Sequence, residues 1–167
     1  MTVNTSAIPA AWNYLVSAAT AAFASTVLIC DGPIPIVDME GYQDRVAIGW
    51  DGADNSFADA GTGSQSFNAL NRGVTKDENF ELVCSVTHWD GDNSIASART
   101  KAFALLATFE RLMRGVPPNG SGDVTLGGAV QFAGIGTIAG VIPILNGDGA
   151  SVTVVFHVAC MARLTGA

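Results

Sequence analysis

Between Asn79 and Arg114 the hydrophobic period of the chain changes from two to 3.6 across a single Asp-Gly-Asp turn. Before the turn, Phe80, Leu82, Cys84, Val86 and His88 alternate with Glu81, Val83, Ser85 and Thr87. That alternation predicts a strand over Asn79–Trp89 with one face buried. After it, Ile95, Ala98, Ala102, Leu105, Leu106, Phe109 and Leu112 form one continuous apolar stripe, with Arg99, Lys101, Glu110, Arg111 and Arg114 mostly off it. Asn93 or Ser94 caps this helix, Ser94–Arg114, and Gly115 with Pro117 and Pro118 stops it. A strand with one apolar face, running straight into a helix with one apolar stripe, places helix on sheet.

The rest of the chain supplies further strands and one more helix. Ala10–Phe23 carries Trp12, Leu15, Val16, Ala19 and Phe23 at spacings of three and four, with Ser6 as its cap and Pro9 near its first turn. Short strands follow at Val27–Cys30 and Arg45–Trp50, joined by an extended connection in which Pro33 and Pro35 forbid helix. From Asp51 to Gly73 periodicity is lost and the residues are mostly Gly, Ser, Asn, Asp and Ala, which predicts a long loop. Strand-like runs occupy Ala129–Ala133, Thr137–Leu145 and Val152–Leu164. The last two are joined by Asn146-Gly147-Asp148-Gly149, a hairpin signal. In the final run Val152, Val154, Phe156, Val158, Cys160, Ala162 and Leu164 share one face. The fold class expected is α+β, an antiparallel or mixed sheet with the two main helices packed on one face. Leu105, Leu106 and Phe109 should meet Leu82, Cys84, Phe156 and Val158 in the core.

Composition narrows the function. Hydrophobic residues make up 49% of the 167 and charged residues 14%, against a typical charged share of about 25%. So few charges cover a free monomer poorly, so part of the apolar surface is expected to meet other subunits. The net charge of −7, with eight basic residues scattered along the chain, argues against gripping nucleic acid through phosphates. Cys30, Cys84 and Cys160 lie in apolar strand-like runs without a CxxC, and their odd number favours buried free thiols. There is no charged segment followed by a long apolar core at the start, and no apolar run of about 18 residues. Neither a signal peptide nor a membrane helix is expected, and the chain is expected in the cytoplasm or inside a particle.

No constellation of catalytic or ligand-binding residues emerges. His88 and His157 are the only imidazoles, and neither HxxxH nor HExxH spacing surrounds them; both are expected to be ordinary strand histidines. The loop from Asp51 through Asp54 to Asp59 lacks the alternating acids, sixth-place glycine and closing glutamate of an EF-hand. The glycines of AGIGTIAGVIPILNGDG fit neither GxGxxG nor a Walker pattern and read as bends in a strand. No GxSxG elbow occurs. The sequons at Asn4 and Asn119 matter only in a secreted chain. The expectation is therefore no catalytic residue, no cofactor and no metal.

Several segments, in order, resemble the tail terminator family of long-tailed (siphovirus-type) phages of actinobacteria. They are VLICDGPIPI, RVAIGWDGAD, TKDENFELVCSVTHWDGD, SIASARTKAFALLATFERLMRG and ASVTVVFHVACMARL, spanning about Val27 to Leu164. The individual motifs are loosely specific; their order and spacing carry the resemblance. The segment Gly115–Gly128 departs from the family pattern in its richness in Gly and Pro.

The resemblance implies a single terminator-like domain over residues 1–167, with a sheet flanked by helices. It implies a non-enzymatic virion protein that closes the head-proximal end of the tail tube as a homohexameric ring, assembled in the host cytoplasm. Its partners would be its own copies, the tail tube protein and the head–tail connector or stopper, with DNA passing through unheld. A head–tail stopper, a tail tube subunit, or a small ligand-binding domain or enzyme are the alternatives. Asp51, Asp54, Asp59, Asp90, Asp92, Asp123 and Asp148 cluster in turns, either rimming the channel or keeping the outer surface soluble. A lumen dominated by Arg45, Arg72, Arg99 and Lys101 would instead mark an adaptor that grips DNA.

Overall fold

The long alternating strand is the axis of the molecule. In the computed structural model, which describes residues 5–33, 41–52, 60–67, 75–114 and 122–165, it runs over Thr75–Asp90. The elements in order are α1 (Ile8–Ala22), β1 (Val27–Asp31), β2 (Asp44–Ile48), β3 (Gly61–Phe67), β4 (Thr75–Asp90), α2 (Ile95–Arg114), β5 (Phe132–Asn146) and β6 (Gly149–Thr165). The sheet has the order β1-β2-β4-β6-β5, and β3 pairs with the first half of β4 beside β2. All pairings are antiparallel except β1 with β2, so the sheet is mixed. A parallel neighbour needs a connection of about a dozen residues, which the chain between Gly32 and Gln43 provides. The fold is α+β, as the order of patterns predicts.

Both helices pack on one face of the sheet. Even-numbered residues of β4 and β6 point to that face, and Val152, Val154, Phe156, Val158, Cys160, Ala162 and Leu164 are all buried there. Helix α2 covers them with Ala98, Ala102, Leu106, Phe109 and Met113. Phe109 meets Phe156 edge-on, with ring centroids 5.1 Å apart. Leu105, expected in the core, and Leu112, on the expected stripe, are only half-buried at its margin, and Met113 takes a fully buried place instead. From α1, Ala11, Leu15 and Ala19 are buried, with Trp12, Val16 and Phe23 packed around them.

The start of α1 is held differently from the sequence expectation. Ala7, not Ser6, is the cap residue, and it has no side-chain cap bond of its own. The Ser6 hydroxyl accepts the Ile8 N–H and donates to Glu78, whose other carboxylate oxygen accepts the Ala7 N–H at 2.6 Å. A carboxylate at a helix N-terminus complements both the unpaired N–H groups and the helix dipole. Glu78 is 2% exposed. Burial pushes its pKa up, but the bonds from Ala7, Gln65 and Ser6 and the charge of Lys76 outweigh that and leave it below the ordinary value.

Three further expectations are corrected. The predicted loop Asp51–Gly73 contains β3, a strand whose side chains are all exposed; it forms by backbone pairing to β4 and leaves no hydrophobic pattern to read. The runs Ala129–Ala133 and Thr137–Leu145 are not two strands. Ala129 lies in a turn and one strand, β5, runs from Phe132 to Asn146 through two register shifts. These sit between Ile135 and Thr137 and between Ile138 and Gly140, and each breaks the period-two parity. Strand β2 ends at Ile48 rather than Trp50 because Gly49 turns left-handed at φ 82, close against the Trp12 ring. The segments 34–40, 53–59, 68–74 and 115–121, with Asp54, Asp59, Arg72 and the first half of Gly115–Gly128, lie outside the described residues.

Candidate assembly surface

Strand β5 is an edge strand without a charged residue. Its partner β6 is central and buried, and the Asn146–Gly149 hairpin joins them as the Asn-Gly-Asp-Gly signal predicts. The first residues of β5 reach the core: Ala133 is buried and Ile135 half-buried against it. From Gly136 to Asn146 every residue is exposed except half-buried Gly140. Phe132, Ile138, Val141, Ile142, Ile144 and Leu145 all stand out to solvent, Leu145 being 59% exposed.

The register puts this apolar surface on both faces. Ile138, Val141, Pro143 and Leu145 pair with Phe156, Val154, Val152 and Ala150, so they share the helix-bearing face; Ile142 and Ile144 pair with Thr153 and Ser151 on the other. Edge strands of free monomers are usually blunted by charges; here two faces of one strand are apolar. Pro143 gives one form of protection. Counting the antiparallel alternation back from the closing pair Asn146–Gly149 turns its nitrogen to the open edge, where a missing N–H costs no ladder bond.

The opposite margin of the sheet is β1. Beside it the end of α1, the start of β1 and α2 enclose a groove of about 410 Å³, lined by Phe23, Val27, Ala104 and Leu105 with Asp44 and Lys101. Lys101 is 56% exposed and lies 3.8 Å from the Asp90 carboxylate. A second hollow of about 540 Å³ opens on the face away from the helices, between Thr62, Ser64, Asn79 and Glu81 on one side and Phe132 and Met161 on the other.

The titratable side chains are mostly absorbed by structure. His88, expected as an ordinary strand histidine, is buried on the helix-bearing side with Nδ1 2.5 Å from Asp44, and its Nε2 has no hydrogen-bond partner among the described residues. His157 lies on the opposite face, 2.9 Å from Glu81. On that same face Arg163 bonds Asp77 through two nitrogens, which holds the Asp77 carboxyl below its usual range. Among the described residues no three His, Cys, Asp or Glu side chains converge as a metal would require. Cys30, Cys84 and Cys160 are all buried, and burial pushes the Cys84 and Cys160 thiols up to about 12.

The acidic turns divide. Asp90 is 7% exposed, accepts the Asp92 N–H and is held low in pKa first by a hydrogen bond from Ser97, so it serves the turn and the start of α2. Asp123 likewise binds its own turn, accepting from the Thr125 hydroxyl and the Thr125 and Gly127 N–H groups. Asp92 and Asp148 are exposed and Asp51 half-buried. No helix of the described residues is long and apolar enough to cross a membrane. Compared with known proteins, the chain matches no family model and no curated sequence.

Proposed function

We propose that the chain is a structural subunit of a phage tail, closing the head-proximal end of the tail tube as a ring and joining it to the head–tail connector. The observation that carries this reading is the β5 margin, an uncharged strand apolar on both faces and uncovered among the described residues. Such a surface is an obligate contact waiting for a neighbour, and a charged fraction of 14% leaves little else to keep it soluble alone. The net charge of −7 suits a wall past which DNA slides, because like charge keeps phosphate from adsorbing. The resemblance of the segments between Val27 and Leu164 to tail terminators supplies the position in the tail and the expected six copies. In this reading the chain has no catalytic residue and no cofactor; its titratable groups serve as caps and cross-strand pairs.

One observation favours a tail tube subunit as the second reading: β5 and β6 form a hairpin with strands of 15 and 17 residues, long enough to reach a stacked neighbour. Helix α2, 20 residues long and laid across the sheet, weighs against it. Removing the gene from a phage that carries it separates the readings. A terminator's loss leaves filled heads and tail tubes that do not join; a tube subunit's loss leaves no tube at all. Normal infectious particles without the chain would contradict both.

A further inference from the structure

Taking the ring reading as its basis, we infer that the β5 margin of one copy seats against the opposite margin of the next copy, in the groove between α1, β1 and α2. The occupant of the groove is thus a second copy of this chain, and the contact is between unlike surfaces.

The sheet register sets the two surfaces level. Val27 pairs with Asp44, Asp44 with His88, His88 with Val152, and Val152 with Pro143. One cross-strand row therefore runs from edge to edge, with Val27 at one end and Pro143 at the other. Copies placed side by side by rotation about an axis along the strands bring Val141, Pro143 and Leu145 to the height of Val27 and the groove it lines. The chemistry matches too. The strand carries no charge, and the groove is lined by Phe23, Val27, Ala104 and Leu105 with the uncharged Thr26 and Thr108. The charged groups beside the groove are Asp44, engaged by His88, and Lys101, which is more than half exposed. The exposed Asp148 at the hairpin tip follows Leu145 by three residues, which lets it approach the Lys101 ammonium of the next copy.

Pro143 decides the kind of contact. Its missing N–H at the open edge, together with the two register shifts, interrupts any continuous backbone ladder with a neighbour. Side chains inserted into the groove carry the contact instead. Because the joined surfaces lie on opposite margins of one molecule, each copy offers one of each, and the contact repeats head to tail until it closes as a ring. Two β5 edges meeting each other would instead stop at a dimer.

Engineered cysteines test this directly, because all three native cysteines are buried and compete little for cross-linking. Leu145→Cys and Ala104→Cys are exposed substitutions on the two margins. Under mild oxidation, or with a short bismaleimide, the expected result is no product from either variant alone. Mixed single variants should give dimers only, and the double variant a ladder ending at one closed size. Dimers from Leu145→Cys alone overturn the inference in favour of edge-to-edge pairing. An oligomer by native mass spectrometry without a ladder overturns this interface and leaves the ring reading standing. A chain that stays monomeric and uncrosslinked also overturns it, and the ring reading is then judged separately by the chain's place in the tail. As an independent arm, Val141→Asp, at a 43% exposed position on the helix-bearing face that meets the groove, should abolish the oligomer with the melting temperature of the monomer unchanged. Retention of the oligomer in that variant counts against the interface.

Discussion

Phe109→Ala removes the largest side chain that α2 lays on the sheet. Phe109 is 0% exposed and sits edge-on to Phe156, itself 0% exposed, at 5.1 Å and 67° between ring planes. Truncating a fully buried Phe costs about 3–5 kcal/mol from lost transfer energy and the cavity left behind. An edge-to-face ring pair contributes about 0.5–1.5 kcal/mol beyond its area, which puts this site in the upper half of that range. For a domain of this size each kcal/mol moves the melting temperature by about 2–4 °C, so a fall of about 8–20 °C is expected. Urea denaturation should show a lower midpoint with an unchanged slope, since the same surface is exposed on unfolding. Phe103→Ala on the same helix is the control: Phe103 is 37% exposed, and its loss should stay within about 0.5 kcal/mol. A Phe109→Ala loss below about 1 kcal/mol, far under the range for a buried Phe, would refute the packing of α2 described above.

Three further outcomes follow from named contacts. Glu78 has a pKa held below the ordinary 4.5, so its contribution to stability is present above that value and is lost as pH falls through the lower, folded value. Acid unfolding of Glu78→Gln, followed by circular dichroism, should therefore show a shallower pH dependence than wild type, the remainder coming from Asp77, Asp90 and Asp123; an identical slope would refute this role. Cys84 and Cys160, with thiols pushed up to about 12, should resist iodoacetamide at neutral pH until the chain is unfolded, and mass spectrometry reads the labelled sites. Gly49→Ala puts a side chain at φ 82 and within 1.8 Å of the Trp12 ring; strain of this kind costs about 1–3 kcal/mol, and an unchanged melting temperature would show the turn to be otherwise built.

How much was legible depended on whether a residue's environment leaves a periodic trace. The buried face of β6, the stripe of α2 and the hairpin at Asn146–Gly149 were legible because burial on one face imposes a period and a tight turn imposes glycine. Strand β3 was not. Its Gly-Thr-Gly-Ser-Gln-Ser-Phe residues are all exposed; apart from Gln65, which bonds Glu78 and Lys76, backbone pairing to β4 holds it, and that selects no side chain. Strand β5 looked broken because its register shifts reverse which residues face the helices. Glu78 lies at a core-facing position of β4 just before the expected strand, and an acid there reads as a strand end; only the arrival of the α1 N-terminus explains it. The apolar character of Thr137–Leu145 was plain in the sequence, but α2 leaves most of that strand uncovered, and no local pattern records what a distant helix fails to reach.

The central claim is tested most directly by an electron cryo-microscopy reconstruction of the tail of a phage that carries this chain, read at the head-proximal end. The account predicts one closed ring of this chain there, six copies by the resemblance, between the last tube ring and the connector, with neighbours joined side by side. Finding the chain stacked along the whole tube, present as a single copy, or absent from the head–tail junction would contradict it.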